Sequence, residues 1–66
     1  MSYKPQVKVS GETSFNGNGQ VFASRQEAEE SALALMDRWF AVTEYRVVES
    51  DEPVNYKHVD GKDIRL

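Results

Sequence analysis

Four groups of residues in this 66-residue chain have types and spacings that invite a chemical reading, and each also has a plainer one. His58 is the only histidine, so there is no His pair for a metal and no second imidazole for a proton relay. A Ser-His-Asp set can be drawn on paper, but no nucleophile motif accompanies it. Strand alternation puts His58 beside Tyr56 and opposite Lys57 and Val59, which reads as a histidine on a sheet surface. Gly17-Asn18-Gly19 suggests a phosphate cradle, yet no GK[ST] follows and the segment joins strand to strand. Asn-Gly is instead a strong hairpin signal, because both residues tolerate positive φ.

Glu49, Asp51 and Glu52 form the densest acidic cluster, with Glu44 upstream. A calcium loop would need a central glycine and a terminal bidentate glutamate, and neither is present. The acids read as a solvated, charged rim beside Tyr45 and Tyr56, a combination common on contact surfaces. Leu33 and Phe40, with Asp37 between them, lie off the main apolar stripe of the helix they belong to. They either cover the edge of the core or offer an apolar edge to a partner.

The elements that must position these groups follow from periodicity. Gln6 to Ser10 alternates as a half-buried strand, and Gln20 to Ala23 is expected to return beside it after the Asn-Gly turn. Ser24-Arg25-Gln26-Glu27 fits a capping box, with Glu27, Glu29 and Glu30 placed to oppose the positive end of the helix dipole. Ala28, Ala32, Leu35, Met36, Trp39 and Val42 share one helical stripe, predicting a helix that ends near Ala41 to Thr43. On this reading Trp39 is core, and Trp39→Ala should cost about 3–5 kcal/mol if the ring is buried. Glu44 to Ser50 and Asn55 to Val59 read as strands, with Pro53 interrupting between them. Asp60-Gly61 is a tight-turn pair from which Lys62 to Leu66 can return as a short final strand. The fold class expected is α+β, of order ββαββ: a single domain over residues 1–66, with one antiparallel sheet and a single amphipathic helix across one face.

Composition narrows the function. Eleven acids against eight bases give a net charge of −3, which argues against a nucleic-acid binder working through bulk charge. Lys4, Lys8, Arg46, Lys57 and Arg65 could still share a sheet face, leaving single-strand binding as a minor alternative. The absence of cysteine excludes disulfide staples and the common zinc staples, so packing or self-association must support the fold. No segment has the apolar run of a membrane span or a signal peptide, and the expected location is the cytoplasm. No cofactor, metal or catalytic residue is expected.

Phe22-x-Ser24-x-x-Glu27-Ala28, Leu35-Met36-x-Arg38-Trp39 and Tyr45-Arg46-Val47-Val48-Glu49-Ser50-x-x-Pro53-Val54-Asn55-Tyr56 together cover about half the chain. In these stretches the chain resembles small uncharacterised proteins of bacteriophages, particularly those infecting cyanobacteria. The RW…YRVVES…PVNY pattern is the most specific element. The resemblance implies a short accessory product acting in the cytoplasm of an infected cell by binding and modulating a host protein, and it carries no catalytic residues. The expected function is therefore a non-catalytic protein-binding module or inhibitor whose partner is a host or phage protein. Its candidate contact residues are Leu33, Asp37, Phe40, Tyr45, Glu49, Asp51, Glu52 and Tyr56. The alternative is a structural or assembly protein acting as a homodimer through an edge strand or the helix flank.

Overall fold

A computed structural model describes residues 1–66 as five strands and one helix. The elements are β1 (Ser2–Val9), β2 (Asn16–Gly17), α1 (Arg25–Arg38), β3 (Val42–Ser50), β4 (Tyr56–Val59) and β5 (Lys62–Arg65). The α+β class holds, but the order is ββαβββ rather than ββαββ, and the strands form two sheets rather than one. A three-stranded sheet has the order β2-β1-β3, and β4 and β5 make a separate hairpin. All pairings are antiparallel.

The single sheet expected from the sequence fails at its second strand. Asn16 and Gly17, expected in the turn, are the residues that pair with β1, and positive φ is taken by Gly19 instead. The chain then runs irregularly through Gln20 and reaches β1 again only at Phe22, which exchanges two backbone hydrogen bonds with Tyr3 (2.9 and 2.8 Å). On its other side, Val21 accepts from the amides of Asn55 and Tyr56 through its carbonyl. The Asn55 side chain completes the join, accepting from the Val21 amide (2.8 Å) and donating to the Gly19 carbonyl (3.0 Å). Two residues therefore do the work of a middle strand, because Ser24 starts the helix immediately afterwards.

Ser24 caps α1 as expected, accepting from the Glu27 amide at 3.2 Å. The Glu27 carboxylate approaches the Ser24 hydroxyl and the His58 amide (both 3.4 Å), so the return half of the capping box is replaced by a contact to β4. The helix lies across the face of the larger sheet that carries Tyr3, Pro5 and Val7. Its small residues Ala28, Ser31 and Ala32 are buried there, allowing the close approach that short side chains permit. Val21, Phe22, Pro5 and Val42 complete the core, with the Phe22 ring wholly buried and Tyr56 tilted against it at a centroid distance of 6.3 Å.

The helix stops at Arg38, three to five residues before the expected end. Trp39 is already extended (φ −132°, ψ 101°), and its carbonyl accepts from the Val42 amide at 3.1 Å to close a turn. Ala41 offers its carbonyl to the Ser10 amide, Val42 pairs with Val9 and Glu44 with Lys8, and Thr43 is the extra residue of a bulge between them. Strand pairing from the β-branched Val42 onward thus replaces further helix. No helix is long and apolar enough to cross a membrane.

Candidate functional site

Two features lie along α1: a buried polar network beneath its middle, and an aromatic corner after its C-terminus. The network is built from the β4–β5 hairpin. Asp60 (φ 53°) and Gly61 (φ 77°) both take positive φ, the signature of a two-residue primed turn. That turn fixes His58 opposite Asp63. The imidazole Nδ1 lies 2.7 Å from Asp63 Oδ1, and Ser31 of α1 donates to Asp63 Oδ2 at 2.8 Å. The His58 side chain is only 6% exposed, so the expectation of a histidine lying on a sheet surface is corrected. Its alternation with Lys57 and Val59 is as expected, but the face it shares with Tyr56 is turned toward the helix.

Burial pushes the Asp63 carboxyl up, but hydrogen bonds from His58, Ser31 and Gln20 outweigh it and hold the group below the usual carboxylate range. The residue types are those of a hydrolytic triad, but the order is wrong for one. A nucleophile needs the imidazole between hydroxyl and carboxylate. Here the carboxylate stands in the middle and the Ser31 hydroxyl spends its proton on it. The arrangement fastens the hairpin to the helix.

Above the network opens a cleft of about 180 Å³ between α1 and β1. Pro5, Val7, Leu35 and Trp39 contribute apolar groups to its lining, and Ser31, Asp63 and Arg38 contribute polar ones. Pockets for drug-sized ligands usually span about 300–1,000 Å³. This cleft is suited to a single inserted side chain.

Trp39 is 48% exposed, which corrects its expected place in the core. Phe40 stands at the tip of the Trp39–Val42 turn and is 98% exposed, so it does not cover the edge of the core. Leu33, 42% exposed on the helix, and exposed Asp37 lie on the same element. Leu35 and Met36 are half-buried, while Val42 is buried as part of β3 rather than of the helix. The exposure of Trp39 was missed because its helical spacing matches the core stripe; the signal against that reading was the β-branched Val42-Thr43 pair so close behind it.

No family model, curated protein or solved structure matches the chain. The reading of the site therefore stands on its geometry.

The other candidate contact residues do not form one rim. Tyr45 is on β3, whereas Tyr56 belongs to β4 in the other sheet and leans on Phe22. Glu49 pairs with Arg25 at 3.5 Å. Glu52 pairs with Lys4, whose hydrogen bond and charge hold its carboxyl below the ordinary range. Asp51 and Glu52 flank a shallow second depression beside Met1 and Ser2. On the outer face of the larger sheet, Lys8 is paired with Glu44 (2.8 Å), and Arg46 donates to Gln6 (2.7 Å) and stacks on Phe15 (4.3 Å). Lys57 and Arg65 lie on the other hairpin, so the five bases considered for a nucleic-acid face are divided between two sheets.

Proposed function

We infer that the protein is a non-catalytic binding module that engages another protein through the corner made by Trp39 and Phe40, with exposed Leu33 on the helix before it. The observation that carries this reading is Phe40, a large aromatic side chain 98% exposed in a domain short of core. A chain of about this size buries only around 60% of its unfolded surface and needs the apolar burial available to it. Leaving its one tryptophan half-exposed and a phenylalanine free at a turn costs solubility and contributes little to folding. Aromatic side chains are the residues that most often dominate binding energy at protein interfaces. The Trp39-lined cleft beside them has room for one partner side chain, so the contact combines a projecting knob, Phe40, with a receiving slot.

The partner is a protein of the cell in which the chain acts, and the contact modulates or inhibits it, as the resemblance to bacteriophage accessory proteins implies. The test is affinity capture from lysate of that cell with the wild-type chain and with F40S and W39A. The wild type retains a partner that both variants lose. Capture of nothing above background, or equal capture by F40S, contradicts the reading.

A further inference from the structure

The larger sheet has one long edge to which no strand is paired, and the hydrogen-bonding parity of that edge can be read residue by residue. Tyr3 spends both its backbone groups on Phe22, so opposite Glu49 it makes no ladder bonds, and the Glu49 amide and carbonyl point away from β1. Alternation then turns the backbone groups of Val47 and Tyr45 outward as well. Pro5, opposite Val47, fits this parity because it has no amide to give. β3 is the terminal strand of its sheet, and no hydrogen bond reaches the outward groups of Tyr45, Val47 or Glu49. An open strand edge of this kind is a template for another strand.

We propose that β3 pairs antiparallel with β3 of a second copy, centred on Tyr45. The occupant follows from charge. A two-fold through Tyr45 sets Glu44 directly opposite Arg46 of the other copy, twice. These are the non-hydrogen-bonded positions of the new ladder, where side chains approach most closely. Shifting the pairing by one two-residue step, so that Tyr45 meets Val47, places the two Arg46 side chains against each other, and like charges directly opposite are destabilising. The chosen register extends contacts already present on this face. Lys8 bonds Glu44 and Gln6 bonds Arg46 within each copy, so a row Lys8–Glu44–Arg46–Gln6 would run across four strands in both directions. On the opposite face the two Tyr45 rings meet at the axis, an aromatic cross-strand pair. The paired residues, 42 to 48, do not include Trp39 or Phe40, and a dimer formed here presents that corner twice.

Sedimentation equilibrium of the full chain across concentration tests the pairing. The weight-average mass rises from the monomer's 7.5 kDa toward twice that value. R46E, which opposes carboxylates at both sites, weakens the dimer about ten-fold or more, and the exchange E44R/R46E restores it. V47P removes an outward amide that β1 does not use and abolishes the dimer, while far-UV circular dichroism verifies that the fold is kept. The charge exchange carries the test alone if V47P fails to fold. F40S leaves the dimer intact. A monomer mass at all concentrations up to about 1 mM, a weak interaction on any scale, overturns the proposal. So does a dimer that survives R46E unchanged, or one abolished by F40S.

Discussion

The two ends of α1 use apolar residues in opposite ways. At the N-terminal half, Ala28, Ser31 and Ala32 are small and buried, and the whole Phe22 ring fits against this half of the molecule. At the C-terminal end, Trp39 and Phe40 are large and left in solvent. Hydrophobic content therefore does not mark the core of this domain. Close approach does: the sheet and hairpin reach the helix where its side chains are short, and the turn after Arg38 swings the bulky residues outward.

The largest effect that separates the two ends belongs to Phe22→Ala, which should cost about 3–5 kcal/mol because it empties a fully buried ring site. Urea titration of that variant should show most of the domain's stability gone. A loss under about 1 kcal/mol would mean the core is elsewhere. Next comes Asp63→Ala. It strands the Ser31 hydroxyl and the His58 imidazole and should cost about 1–3 kcal/mol.

The same carboxylate sets a pH dependence. Its folded pKa lies below its ordinary value of 3.8, so its contribution is complete above that value and is lost as pH falls through the lower folded one. Stability should decline below about pH 4, and Asp63→Asn should flatten that part of the acid limb in melting temperatures measured against pH. An unchanged acid limb would remove Asp63 from the account.

Much of the scaffold was legible in the sequence. The Ser24 cap, the buried Ala28 and Ala32, the alternation of β3 and the Asp60-Gly61 turn depend on local chemistry, which short stretches of sequence carry. The His58–Asp63 pair was missed, although counting outward from Asp60-Gly61 places those residues opposite each other. Trp39 and the second strand were not legible, for a shared reason. Each was decided by which of two adjoining elements took the residues between them. Val42 and Thr43 drew the chain into β3 before the helix could bury Trp39, and the cap at Ser24 left Val21 and Phe22 too short a run to form a strand. Leu33 and Phe40 stood out in the sequence as surplus to the main stripe, but the cleft beside Trp39 depends on where the helix ends.

Smaller effects sharpen the contrast at the helix's far end. Trp39→Ala should cost about 1–2 kcal/mol, less than a buried tryptophan, since about half its surface is already wet. Acrylamide should quench its fluorescence readily, and strong protection would place the ring back in the core. Phe40→Ala should change stability by no more than about 0.5 kcal/mol in either direction.

The central claim is that the aromatic corner is surplus to folding, and one paired experiment addresses it with the same chemical deletion at two sites. Urea unfolding of Phe22→Ala and Phe40→Ala, followed by far-UV circular dichroism, should give free-energy losses that differ by about 3 kcal/mol or more, nearly all of it at Phe22. Equal losses at the two positions would contradict the account.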